Sequence, residues 1–327
     1  MIAVFKHELS NYFHSMTAYI FGAFFLAFVG IGAMIYNIQQ AVANFEYVLS
    51  FVSLVFVVII PVLTMRVIAE ERKQKTDQLL YSLPITTTQV VLGKYLALLV
   101  IYLIQLCIVA VYPLLFAQYG EVYLLTSYGS IGAFFVMGAA LIAVGTFLSS
   151  LTENQGFAAG IAIAVFLLNY YSVSLAEHIS ATAFGSAAAL CVLSCLLGLL
   201  VRCLTKNEHL AYGTAIVLIA AVGITYFVNS AVFEGLLPDI MKKLSLFERF
   251  YTFVSGVFDL TAIVYYVSVI AFFLFLAVQS LERRGTTDKE RDFKKPYRPT
   301  GRGLFTGHYS HCACHTGGGK HSGVRAA

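Results

Sequence analysis

The densest chemistry-bearing residues in the chain lie near its end, where His311, Cys312, Cys314 and His315 follow one another in the order H-C-x-C-H. Thiolates and imidazoles at this density suit soft or borderline metals. The spacing fits no standard zinc module, however, so the set is a metal candidate by composition alone. Directly after it, Gly317-Gly318-Gly319-Lys320-His321-Ser322 imitates a phosphate loop. That loop needs Ser or Thr immediately after its Lys, and here His321 stands in the place. Elsewhere Gln105, Asn169 and Asp259 are polar residues in apolar runs. Such residues are candidates for a substrate path, and Asn169 and Asp259 are singled out for it. The competing role is hydrogen bonding between helices. No catalytic set emerges, and the chain is expected to bind no cofactor itself.

The elements that carry these residues are dictated by composition. Of 327 residues, 59% are hydrophobic and 12% charged, with a mean hydropathy of +0.80. Soluble domains carry about 25% charged residues, so the solvent for most of this chain is lipid. Apolar runs long enough to span occur at 17–36, 47–66, 90–117, 131–151, 156–175, 182–201, 210–229 and 258–281. They are long and continuous, which excludes the alternation of a membrane barrel. The fold class expected is an all-α polytopic bundle of six to eight transmembrane helices. The runs 182–201 and 210–229, rich in Ala and Gly, are the two that could drop out. The first run exceeds a signal-peptide core and has no small-x-small cleavage site, so it reads as a retained span. Cys107, Cys191, Cys195 and Cys203 lie in or beside apolar segments, where a free Cys behaves as a small hydrophobe.

Lys and Arg set the orientation. Residues 1–281 hold 11 basic and 13 acidic residues, whereas Glu282–Ala327 holds 10 basic and 4 acidic ones. The basic tail, Lys6, and the insert with Arg72, Lys73 and Lys75 place both termini and the insert in the cytoplasm, in a cell-membrane protein. The net charge of +4 belongs to the tail and implies lipid contact, not nucleic acid. One segment, 230–257, dissents, with Lys242, Lys243 and Arg249 on the outer side. Its apolar residues recur at helical spacing (Phe233, Leu236, Leu237, Ile240, Met241, Leu244, then Phe247, Phe250, Tyr251, Val254), as in a helix lying at the interface; an ordinary connecting loop is the alternative. Residues 1–16 read as another interfacial helix. Val4, Phe5, Leu9, Tyr12 and Phe13 share its apolar face, with Lys6, His7, Glu8 and Asn11 elsewhere. The domain division is then 1–16, a membrane domain 17–284, and a basic, disordered tail 285–327.

The insert 67–89 stands out within the membrane domain. Glu70, Glu71, Arg72, Lys73 and Lys75 tolerate helix, and Leu79, Leu80 and Leu83 add an apolar patch. Pro84 ends the helix, while Thr86, Thr87 and Thr88 can cap the next. These residues fit either a solvated loop that sets topology or a surface element that meets a partner.

The run E-E-R-K-x-K-T-x-x-L-L-x-S-L-P-I, with Gly93-Lys94 beyond it, resembles the coupling region of ABC-2 type transporter permeases. The resemblance rests on Glu70, Glu71, Arg72, Thr76, Leu79, Leu80, Ser82, Leu83, Pro84, Gly93 and Lys94. Lys75 stands where the family commonly has Gly, and Gln78 where it has Glu. The segment Phe250–Arg284 is similar to the gliding-motility and copper-processing export branch. The resemblance implies a permease without ATPase activity of its own. A separate ATP-binding subunit would carry ATP and Mg, contacting Glu70 to Pro84, and a second permease chain would complete the assembly. A non-transporting membrane scaffold is the alternative. A self-powered carrier would need intramembrane carboxylates and internal repeats, and neither is evident.

Overall fold

A computed structural model of the protein describes residues 1–42, 44–74, 86–178, 183–204, 208–228, 233 and 235–294, and every regular element among them is helical. The chain opens with α1 (Ile2–His14), turns at the extended Ser15, and continues as α2 (Met16–Ala33), which ends in a π-helical stretch, Met34–Gln39. Then come α3 (Glu46–Thr64), α4 (Ala69–Gln74), α5 (Thr87–Val109), α6 (Tyr112–Phe116) and α7 (Leu124–Leu151). The second half holds α8 (Gln155–Tyr170), α9 (Ser172–His178), α10 (Ala183–Leu204), α11 (Glu208–Val228), α12 (Leu236–Leu244), α13 (Leu246–Val254) and α14 (Leu260–Lys294).

Among the described residues five helical stretches are long and apolar enough to cross a membrane: Met16–Gln39, Glu46–Lys73, Thr87–Phe116, Leu124–Leu151 and Leu260–Arg283. The protein is a multi-pass, all-α membrane protein. A sixth crossing exists if α8 and α9, bent by 55° at Tyr171, act as one span. The pair expected at 182–201 and 210–229 forms two further helices, α10 of 22 residues and α11 of 21, each about the length a span needs. At the other end, α14 runs past the expected boundary at 284 to Lys294. Its charged, Pro-free sequence tolerates helix as far as Pro296.

The bundle is organised around α7, most of whose apolar stretch is buried and which packs against α3, α5, α8, α13 and α14. Lipid is as apolar as Leu, so close packing and hydrogen bonds hold such a bundle together. Gly138 and Gly145 provide the closeness: a Cβ at Gly138 would strike the Tyr102 ring of α5, and one at Gly145 would strike Thr64 of α3. Tyr102 is fully buried and donates to Phe134 O at 2.8 Å. Around it Phe25, Phe56 and Phe134 form one aromatic core, with the last two 4.5 Å apart between ring centroids.

The segment expected to lie at the interface divides in two. Helix α12 has no buried residue. Helix α13 instead packs Leu246, Phe247, Phe250 and Phe253 against α3, α7 and α8. Ser245 caps it, accepting from Glu248 N–H at 3.2 Å.

Candidate functional site

The E-E-R run begins where α3 ends. Four residues in turn conformation, Met65–Ile68, separate α3 from α4, and a break inside a helix leaves backbone groups without partners. Ser149 of α7, 1% exposed, supplies them. Its Oγ accepts from Ile68 N–H and Ala69 N–H, each at 3.3 Å, and donates to Met65 O at 3.2 Å. One hydroxyl thus fixes the root of α4 to the central helix. Nothing in the local sequence around Ser149 announces this role.

The second fixture is Lys94, in the second turn of α5 and 2% exposed. Its ammonium donates to Glu71 Oε1 of α4 at 2.6 Å and to Glu8 Oε1 of α1 at 2.9 Å. A buried cation is tolerated only when paired and hydrogen-bonded, and here two carboxylates from two other elements serve it. Gly93 makes the approach feasible. A Cβ there would lie 3.0 Å from Val4 Cγ1 and 3.3 Å from the Phe5 backbone nitrogen, so α1 crosses α5 directly over it. The Gly-Lys pair therefore has a physical meaning: the Gly admits α1 and the Lys binds it.

This corrects the expected face of α1. Glu8 lies on the inward side with Val4, Phe5, Leu9 and Tyr12, while Phe13 is exposed. An acidic residue belongs in that stripe because Lys94 waits opposite. Tyr12 is buried beside it, and burial first, then Glu8, Glu71 and Glu70, pushes its hydroxyl pKa well above the usual tyrosine range. A third tie comes from Arg66, whose Nη1 donates to Thr17 Oγ1 of α2 at 2.9 Å. Between these groups lies a cavity of about 490 Å³, lined by residues that include Tyr12, Arg66, Glu70, Glu71 and Lys94.

Of the predicted contact residues, Glu71 turns inward to Lys94, Arg72 is 7% exposed, and Glu70 lies 4.0 Å from Arg66. Thr76, Leu79, Leu80, Ser82, Leu83 and Pro84 lie outside the described residues. Thr86 occupies the N-cap position of α5, although its hydroxyl makes no cap bond.

The candidate path residues are remote from this junction. Asn169, near the end of α8, holds the α12–α13 turn: its Nδ2 donates to Leu244 O at 3.3 Å and its Oδ1 accepts from Leu246 N–H at 3.0 Å. Asp259 accepts from Thr261 N–H at 2.8 Å and so caps α14. Gln105 lies over Gly22 of α2. Among the described residues no group of three His, Cys, Asp or Glu could hold a metal; His311, Cys312, Cys314 and His315 lie outside them.

A family model described as "ABC-2 family transporter protein" matches residues 3–175, more than half of the chain and all of the junction. The chain belongs to the ABC-2 transporter family. It is accordingly a permease component of an ABC exporter, a membrane part and not a catalytic one. The ABC-2 match covers α1, α4 and α5 and stops before α10, so it does not reach the Phe250–Arg284 segment on which the branch likeness rests. A comparison with curated proteins returned no match.

Proposed function

We propose that this ABC-2 permease is driven by a separate ATP-binding subunit that acts on it through segment 67–89. The observation that carries the reading is the Lys94 junction. The root of the segment is tied to α1 and α5 through Lys94 and to α7 through Ser149. A partner that displaces the segment therefore moves several helices at once, without needing a contact inside the bilayer. In this division of labour Glu71 and Arg72 hold the segment to the bundle. Glu70, Thr76, Leu79, Leu80, Ser82, Leu83 and Pro84 form the partner contact. ATP and Mg belong to the partner, and a second permease chain completes the exporter.

The Lys and Arg distribution supports a cell-membrane location with both termini and the segment in the cytoplasm. We further propose, on the Phe250–Arg284 motif alone, that the chain falls in the gliding-motility and copper-processing export branch. A substrate path along Asn169 or Asp259 would require the bonds they make to the α12–α13 turn and the start of α14 to open. The test is ATP hydrolysis by the purified complex. Leu80→Asp should leave the permease folded and abolish its influence on the partner's turnover; unchanged control of turnover would contradict the assignment.

A further inference from the structure

Glu46 sits in the first turn of α3, at the end of that helix opposite the Lys94 junction, and is 2% exposed. Its Oε1 accepts from Ser127 Oγ of α7 at 3.1 Å. Its Oε2 is buried and has no hydrogen-bond partner among the described residues. Native proteins rarely leave such an atom unmet, and an ion or a water is the usual resolution. No ion pair among the described residues involves Glu46.

The surroundings favour an ion. Ser127 and Ser130 are 0% and 1% exposed, and their three-residue spacing puts them on one face of α7. Ser130 Oγ donates to Phe253 O of α13 at 3.3 Å. Both hydroxyl protons are therefore committed, one to Glu46 and one to Phe253, while both oxygens retain lone pairs. With the carboxyl ionised, these three side chains have acceptors to spare and no free donor. Its ligands are hard oxygens, which suit alkali and alkaline-earth ions and not soft metals. A single carboxyl balances a single positive charge, and a divalent ion would leave an uncompensated charge in an apolar bundle.

We propose that Glu46, Ser127 and Ser130 bind one monovalent metal cation of the sodium class. Because Ser130 also holds Phe253, occupancy ties the end of α13 to α3 and α7. This inference stands independently of the partner reading above.

The experiment is thermal unfolding of the purified full chain in detergent, in sodium, potassium or N-methylglucamine chloride at equal ionic strength. The midpoint should rise with sodium or potassium concentration, as for any ligand that binds only the folded state, and should not rise with N-methylglucamine. Glu46→Gln should abolish the response. Ser127→Ala keeps the carboxyl and should shift the response to roughly tenfold higher salt or more; with the wild-type titrations it decides the matter if Glu46→Gln does not fold. Equal midpoints in all three salts would mean that Oε2 meets only a water and would overturn the proposal. So would a response shared by N-methylglucamine, one that follows pH in place of the metal ion, or one that survives in Glu46→Gln.

Discussion

The ammonium of Lys94 and the carboxylate of Glu71 meet across 2.6 Å at a site where the lysine is 2% exposed. The pair joins the start of a span to the segment that protrudes beside it, and Glu8 extends the link to the N-terminal helix.

Removing one side of this link should reveal its asymmetry. Glu8→Gln together with Glu71→Gln leaves Lys94 buried without a counter-charge and should cost about 3–5 kcal/mol. Lys94→Met leaves two carboxylates whose side chains are 15% and 27% exposed and can turn to water. Its cost should fall below that range, at about 2 kcal/mol. Chemical unfolding in detergent compares the two, and the opposite ranking would refute the buried-cation account.

Gly145→Ala should destabilise the bundle by about 1–3 kcal/mol, because the added methyl meets Thr64 on the facing helix. Thr64→Ala in the same chain removes Oγ1 and Cγ2 and leaves only Cβ, 2.9 Å from the added methyl, so it relieves most of the clash. A double-mutant cycle should therefore show coupling of at least about 0.5 kcal/mol, whereas additive effects would mean that α3 and α7 do not approach there.

Asn169→Ala should loosen the α12–α13 turn by about 1–3 kcal/mol, since Leu246 N–H loses its acceptor. Hydrogen exchange at 244–247 should quicken while exchange in α7 stays slow. An equal change in both would make Asn169 a general packing residue.

Tyr12 gives a pH dependence. Burial and nearby carboxylates raise its pKa in the folded chain, whereas the unfolded side chain titrates at about 10. Above that pH the folded state keeps a proton that the unfolded state releases, so this contribution to stability is full below about pH 10 and declines as pH rises. Tyr12→Phe should flatten the alkaline limb of a stability–pH curve, and an unaltered limb would assign it to other groups.

Much of the architecture was legible because lipid imposes long apolar runs. Met16–Gln39 could be read to within three residues of its ends, whereas Glu46–Lys73 and Leu124–Leu151 each run seven residues past the expected bound at one end. The junction was legible only in part. Gly93 and Lys94 could be noted as a pair, but their meaning depends on Val4, Phe5 and Glu8, more than 80 residues away in the chain. Periodicity sorted Glu8 to the polar face of α1 because it weighs a residue by its own polarity and not by what stands opposite. Ser149 and Glu46 escaped for a related reason. A serine in an apolar run reads as a small residue, and a glutamate at the edge of a span reads as its solvated boundary, whereas both are buried.

The central claim is that a separate ATP-binding subunit engages segment 67–89. The most direct measurement is purification of the full chain from its own membrane in mild detergent, with mass spectrometry of whatever accompanies it. An ATP-binding subunit should appear at about one per permease chain, as two-plus-two assembly requires, and should be lost when Leu79 and Leu80 are both changed to Asp. A chain recovered without such a subunit in several mild detergents, or one that keeps it after those changes, would contradict the account.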